Sequence, residues 1–280
     1  MTATNVDQQL IIIDPDDKKN KLINWQEIWQ YRDLFFFLVW RDVKTRYAQS
    51  VLGVGWAIIQ PVFSMIVFTI IFGNLARVDS EGVPYAIFSF TALVPWTFFS
   101  SSLTSASGSL INSKNLLTKI YFPRLVIPLS PVIGKLIDFG ISLLILVGLM
   151  FWYGVIPTIW TLMLPVFIIM MMLTSAGVGM WLTALSIQYR DIRYGAEFFI
   201  QLLMYGSPVI YATSIIPEKY QIIYALNPMV GVIEGFRAAL LGTRAMPWNL
   251  IGIGSLMAIA FFLSGALYFR SMERYFADVA

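Results

Sequence analysis

The sequence predicts an all-α membrane protein: six transmembrane helices, an N-terminal amphipathic helix at the interface, and a re-entrant helical hairpin before the last span. Three observations carry this. Apolar residues make up 58% of the 280 and charged residues only 12%, against roughly half and a quarter in soluble domains. So few charges cannot cover a water-exposed surface of this size, whereas a lipid-facing surface needs none. Apolar runs of spanning length recur along the chain, and the short segments between them alternate between rich and poor in lysine and arginine.

Residues 1–21 hold Asp7, Asp14, Asp16, Asp17, Lys18 and Lys19 without a sustained apolar stretch, so they read as a flexible cytoplasmic arm rather than a secretory leader. Residues 22–47 read differently. Trp25, Ile28 and Trp29 recur at helical spacing with Gln26, Glu27, Gln30 and Asp33 between them, the pattern of a helix lying at headgroup level. The apolar run 34–40 then leads to Arg41, Lys44 and Arg46. These bases either anchor the first span on the cytoplasmic side or form a strip for anionic lipid phosphate.

The transmembrane part, 48–280, holds predicted spans at about 51–76, 85–111, 125–153, 159–187, 198–213 and 250–269. The run 198–213 is short for the roughly 20 residues that a span requires. Segment 217–247 is half apolar and is broken by Asn227-Pro228, Gly231, Gly235 and Gly242. It is too apolar for a wet loop and too interrupted for a span, and it reads as two half-helices. Such backbone is tolerated at membrane depth where protein or a wet cavity surrounds it. Basic residues crowd 1–50 and recur at Lys114, Lys119 and Arg124, at Arg190 and Arg193, and at Arg270 and Arg274; 77–84 carries Arg77 alone and 154–158 none. This alternation predicts both termini in the cytoplasm.

Composition also excludes. Cys and His are both absent, which removes disulfides, thiolate metal sites, and the commonest general base and pH switch. No catalytic residue and no metal site is expected. A net charge of +3 is too small to suggest nucleic acid. No GxxxxGK[ST] occurs; Gly134-Lys135 is followed by Leu136. Any ATP used in transport is therefore hydrolysed on another chain.

The remaining polar features each have two readings. Lys135 and Asp138 share a helix face, about 15 Å beyond Arg124 at helical rise, as a structural ion pair or as a proton or ion relay. Glu234 and Arg237, at the same spacing, either fix the hairpin or gate it. The loop 112–124 is an ordinary cytoplasmic connection, or a short helix capped by Asn112 or Ser113, ended by Pro123, and docked on a partner. Trp56, Phe63, Trp96, Phe98 and Phe99 belong to an abundant aromatic set. They face lipid as belt residues or line a pore, where ring faces stack on the C–H faces of sugars.

Here the residues resemble a family. LVWRDVKTRYAQSVLGVGWAIIQP (38–61), NLLTKIYFPRLVIPLS (115–130), YRDIR (189–193), SPVIY (207–211) and LNPM (226–229) occur in the order seen in ABC-2 permeases. Within that class they resemble the polysaccharide and polyol-phosphate exporters, among them the O-antigen and wall teichoic acid permeases. The resemblance covers about residue 25 to the C-terminus. It implies a multi-pass inner-membrane permease, not itself an enzyme, that forms a homodimer docked on two copies of an ABC ATPase. ATP and Mg would bind there, with no cofactor on this chain. It implies a channel for an undecaprenyl-diphosphate-linked glycan among the membrane lipids, lined in part by Trp56, Phe63, Trp96, Phe98 and Phe99. Arg41, Lys44 and Arg46, with Lys119 and Arg124, would meet the diphosphate. Asn115, Leu116, Leu117, Tyr121 and Phe122 would couple to the ATPase, and Asn227, Pro228, Glu234 and Arg237 would form an extracytoplasmic gate. Which glycan is carried, O-antigen, capsule or teichoic acid, stays open. Rival readings are an ABC-2 exporter of small lipids or drugs, and a secondary transporter using Lys135/Asp138, although no internal repeat is visible. A membrane-embedded glycosyltransferase or phosphatase would want clustered Asp or His, and His is absent.

Overall fold

A computed structural model describes residues 29–48, 52–113, 116, 122–189 and 191–279, excepting the side chains of Val54 and of 274–279. The predicted arm and residues 22–28 of the predicted interface helix lie outside the described residues. Among the described residues every regular element is a helix, with no strand. In order come α1 (Arg32–Tyr47), α2 (Trp56–Phe68, continuing as a π-helix over Thr69–Leu75), α3 (Tyr85–Asn112) and α4 (Val126–Tyr153). A 3₁₀ turn (Ile159–Met163) then leads into α5 (Leu164–Gln188), followed by α6 (Asp191–Tyr205), α7 (Glu218–Tyr224), α8 (Pro228–Leu240) and α9 (Trp248–Val279). Among the described residues, five stretches are long and apolar enough to cross a membrane: Trp56–Leu75, Tyr85–Asn112, Val126–Tyr153, Ile159–Gln188 and Trp248–Glu273.

The fifth predicted run, 198–213, is where chain and expectation part. The helix in that region starts at Asp191 and stops at Tyr205, before Gly206-Ser207-Pro208. Apolarity marked the wrong limits because Asp191, Arg193 and Glu197 are helix-compatible. The stop is set by backbone chemistry, Gly and Pro, rather than by polarity. At about 1.5 Å per residue α6 is roughly 22 Å long, short of a hydrocarbon core of about 30 Å.

Helix α3 is the axis of the bundle. It packs against α4, α5 and α8, and every side chain from Tyr85 to Trp96 is buried. It is also rich in Ser and Thr, whose hydroxyls turn back onto their own helix: Thr91 donates to the Ile87 carbonyl at 2.7 Å and Ser109 to that of Ala106 at 2.7 Å. Such bonds let hydroxyls sit in a dry interior without water. Helix α9 lies along α5 at a crossing made by Gly177 and Gly265, where a Cβ on either glycine would collide with the other helix's backbone. Small residues allow this closeness, and dispersion between the backbones rewards it. Gly154, at φ 66°, ends α4 in the left-handed conformation that its missing Cβ permits.

Helix α1 packs on α4, burying Leu38 and Val43, the latter beside Gly134. Its opposite face exposes Phe36, Phe37 and Trp40. The expected one-sided amphipathic pattern is thus replaced, over Arg32–Tyr47, by apolar groups on two faces: one meets the bundle and the other faces outward. Helix α8 is buried at all of its 13 residues. Asn227 caps it through the Met229 amide at 3.1 Å, and Pro228 occupies the first turn, where its missing N–H costs no bond. The turn between α7 and α8 stands beside Phe99, Thr174 and Phe261, near the middles of α3, α5 and α9. From there α8 runs to Leu240, where the Ala239 carbonyl accepts from the Thr158 amide at 3.0 Å, at the end of the bundle that holds the α4–α5 connection.

Candidate functional site

Polar groups concentrate at two levels of an otherwise apolar bundle. The first is where α3 finishes and α4 begins. Asp138 on α4 accepts from Arg46 at 2.5 Å, from Lys135 at 3.3 Å, and from the Tyr47 hydroxyl. Arg41 pairs with Asp42 at 2.9 Å and reaches Ser113 Oγ at 3.4 Å; Ser130 Oγ donates to the other Asp42 oxygen at 3.2 Å. Arg124 donates to the backbone carbonyl of Glu273. A half-buried carboxylate with three donors, two of them charged, is well compensated. Burial, with the Asp138 carboxylate next, pushes the Tyr47 hydroxyl up to about 12, so it remains a donor at neutral pH.

Of the basic residues singled out for phosphate docking, Arg41, Arg46 and Arg124 are thus engaged within the chain. Lys44 is exposed, and Lys119 lies outside the described residues. Of the expected coupling residues, Asn115, Leu117 and Tyr121 also lie outside them. Phe122 is buried with Leu110, Ile127, Ala184 and Phe269, and Leu116 leans on the same cluster. Phe122 therefore anchors the end of the loop inside its own chain.

The five aromatics are not brought to one surface. Trp56 and Phe63 are exposed on α2, whereas Trp96, Phe98 and Phe99 are buried on α3. The reason is that neighbours enclose α3 over this stretch. Phe98 meets Phe139 edge-on at 5.8 Å; Phe139 meets Phe236 at 6.2 Å, and Phe236 meets Phe167 at 6.0 Å. Only Phe99 of the five borders the apolar groove of about 720 Å³ that α6 forms with α3, α5 and α9.

The second polar level is at the opposite end, around α8. Arg237 is 1% exposed. It binds Glu234 at 3.1 Å and donates to the carbonyls of Tyr211 and Val209, both at 3.0 Å, with its guanidinium 3.7 Å from the centre of the Phe88 ring. Glu234 also accepts from the Thr213 amide at 3.3 Å. Arg244 lies 3.3 Å from Glu81 and 4.0 Å from Glu234. The Tyr85 hydroxyl ties the start of α3 to the Ile210 carbonyl at 2.8 Å, and Asn227 Nδ2 donates to Ser207 Oγ at 2.9 Å. Of the four residues expected at a gate, Glu234 and Arg237 lie in this network, whereas Asn227 and Pro228 stand at the start of α8, deeper in the bundle. Glu81, Tyr85 and Arg244 complete the network and were not legible. The one available signal was an acid, Glu81, in a short loop facing a segment that carries Arg244. On α1, Asp42 and Tyr47 were missed for the same reason: their partners come from distant elements.

The sequence profile of the ABC-2 type transporter family matches residues 33–241, from α1 to just past the end of α8. The chain belongs to the ABC-2 type transporter family. It is 28% identical over 255 residues to the O-antigen export system permease protein RfbA of Myxococcus xanthus, covering 90% of this chain and 97% of that one. It is 30% identical over 248 residues to the RfbA permease of Klebsiella pneumoniae, covering 88% and 95%. To the polysialic acid transport protein KpsM of Escherichia coli it is 23% identical over 238 residues, covering 81% and 89%. In this ABC-2 chain both polar levels fall within the matched region, apart from Arg244 and the Glu273 carbonyl.

Proposed function

We propose that this ABC-2 chain is the permease subunit of an ATP-driven polysaccharide exporter in the inner membrane. One observation carries the proposal: O-antigen export permeases match it over nearly their whole length. ATP hydrolysis, with its Mg, belongs to a separate ABC ATPase, since the sequence contains no P-loop. Two copies of the permease form the passage, and the exposed apolar residues of α2 and α6 supply lipid-facing and subunit-facing surface. With both termini cytoplasmic and α6 as a short sixth crossing, the first polar level is cytoplasmic. The turn of α7–α8 then enters the membrane from outside as a re-entrant hairpin.

The substrate is a glycan on an undecaprenyl diphosphate. Lys44, with the outer faces of Arg41 and Arg46 and with Lys119 and Arg124, draws the diphosphate to the cytoplasmic side by long-range attraction. Closure of the ATPase pair pushes the loop 112–124, whose end is fixed by Phe122. The helices part, the lipid head crosses, and the polymer slides past aromatic and hydroxyl side chains to a gate held by the α8 network. Lys135 and Asp138 are closed off by their own partners, which supports a structural ion pair over a relay.

Depletion of the protein in its native host tests this. Loss of surface glycan, with lipid-linked polymer accumulating on the cytoplasmic side and vanadate-sensitive transport in vesicles, is the expected result. Unchanged surface glycan with altered efflux of a small lipid or drug would overturn it.

A further inference from the structure

One carboxylate closes the neck of the hairpin that α7 and α8 form. The hairpin turns beside the middles of α3, α5 and α9, and its two ends lie at Ser214, before α7, and at Thr243-Arg244, after α8. Both ends are held by Glu81, which belongs to neither. Ser214 Oγ donates to Glu81 Oε1 at 3.2 Å, Thr243 Oγ1 donates to Oε2 at 3.2 Å, and Arg244 Nε lies 3.3 Å from Oε1. The Glu81 side chain is only 10% exposed, so these charge-assisted bonds form where little water competes.

The loop that presents Glu81 is strained. Glu81 has φ 57° and Arg77 φ 53°, the left-handed region that a side chain disfavours. The Asp79 carboxylate supports the turn by accepting from the Glu81 amide at 3.1 Å. Such backbone persists where its surroundings over-determine it, and the three donors on the Glu81 carboxylate do so. The loop leaves α2 from its π-helical end, Thr69–Leu75, in which no residue is buried. Over Trp56–Phe68 only Pro61 is buried, which makes α2 the least enclosed of the five apolar stretches. A π-segment inside a helix is uncommon and frequent at functional sites. A second contact runs the same way. Gly73 lies so close to Tyr85 that a Cβ on it would collide with that side chain, and Tyr85 donates to the Ile210 carbonyl just before the neck.

We propose that Glu81 is the latch of the α7–α8 hairpin: a positioning residue on a strained loop, which holds Ser214 and Thr243-Arg244 together and releases them when the end of α2 shifts. The weakly enclosed α2 is then the element through which movement of the bundle reaches the hairpin. Release lets the backbone of Glu81 leave the left-handed region, so the strain of the closed loop offsets part of the cost of opening. The latch stands on these contacts alone. That its release opens the path of an exported polymer rests on the export reading above.

The test uses the full, naturally cysteine-free chain in lipid nanodiscs with two buried reporters, Ala212→Cys beside the neck and Val43→Cys between α1 and α4. In the Glu81→Ala background, maleimide labelling should rise about tenfold at Ala212→Cys, the scale of one lost hydrogen bond, and keep its parental rate at Val43→Cys. A rise at both sites means that Glu81 supports the whole fold, and a rise at neither means that the neck closes without it; either result overturns the latch. Where Glu81→Ala does not fold, Ser214→Ala with Thr243→Val removes both hydroxyls and should give the same local rise. Release is read in cells by joining Ser214→Cys to Thr243→Cys with a reducible bifunctional thiol reagent. Glycan export should fall on joining and return on reduction, whereas export that continues while the ends are joined overturns release. Depletion of the chain that leaves surface glycan unchanged removes the export reading instead and does not touch the labelling result.

Discussion

Arg46 on α1 meets Asp138 on α4 at 2.5 Å across 92 positions of sequence, and this contact fixes α1 to the bundle. Asp138 receives Tyr47 and Lys135 as well, so one carboxylate holds three donors. Replacing it with Asn leaves two half-buried cations poorly matched, at a cost of about 1–3 kcal/mol. The chain has no cysteine, so Val43→Cys, buried between α1 and α4, is a clean reporter. We expect maleimide to spare it in the parent and to label it in the Asp138→Asn background. Equal protection in both would show that α1 is held by apolar packing alone.

The same cluster makes a statement about pH. The Tyr47 hydroxyl rises from an ordinary 10.0 to about 12 because burial and the neighbouring Asp138 both disfavour tyrosinate. A folded value above the unfolded one means that the contribution of Tyr47 is present in full below pH 10 and fades as pH rises toward 12. Subtracting the ultraviolet tyrosinate titration of Tyr47→Phe from that of the parent should leave a component with its midpoint near 12. A midpoint near 10 would show a hydroxyl free of both influences.

The long apolar runs were legible because a bilayer enforces length: predicted 85–111, 125–153 and 159–187 correspond to helices at Tyr85–Asn112, Val126–Tyr153 and Ile159–Gln188. The start of α8 was legible through Asn227-Pro228, whereas Gly231 and Gly235, read as breaks, lie within the helix. What could not be read was pairing between elements. Glu234 and Arg237 announce each other at three residues' spacing, but nothing local names Glu81 for Arg244 or Tyr47 for Asp138, because packing of whole helices decides those meetings. The inward or outward direction of the rings was equally hidden. Phe98 and Phe63 look alike in sequence, and only the enclosure of α3 and the peripheral position of α2 separate them.

Arg237 illustrates a buried charge that is costly to lose. Arg237→Met removes three hydrogen bonds and strands Glu234 and two carbonyls, which should lower stability by about 3–5 kcal/mol. Adding Glu234→Gln should restore part of this, since both charges are then gone. Arg237→Lys should not rescue, because an ammonium cannot reach the Val209 and Tyr211 carbonyls as a rigid fork does. Thermal unfolding followed by size-exclusion recovery reads all three, and a parent-like Tm for Arg237→Met would refute the assignment.

Phe122 should behave as an anchor rather than a docking surface. Its ring is buried among Leu110, Ile127 and Phe269, so Phe122→Ala should cost about 3–5 kcal/mol and loosen the loop that precedes it. Phe122→Leu should recover most of the stability. Trypsin cleavage within 114–124, where Lys114, Lys119 and Arg124 supply sites, gives the readout: faster in the Ala variant, near parental in the Leu variant. Equal cleavage rates in all three would mean that the ring contributes nothing to holding the loop.

Helix α9 can lie against α5 only because Gly177 and Gly265 carry no side chains. A Cβ at Gly177 would overlap the backbone of Phe261 and Phe262, and the obstacle is main chain, which cannot rotate away as a side chain would. Gly177→Ala must therefore push the helices apart along the longest contact in the bundle, forfeiting dispersion along both, for a loss of about 1–3 kcal/mol or more. Gly140 on α4 provides the internal comparison, since a Cβ there meets nothing within 4 Å. Gly140→Ala should be neutral or stabilising by up to about 1 kcal/mol through helix propensity alone. If folded yield and thermal midpoint fall equally in the two variants, glycine content rather than the α5–α9 crossing is what matters. A fall confined to Gly177→Ala places the sensitivity at the crossing, where the last helix joins the rest of the chain.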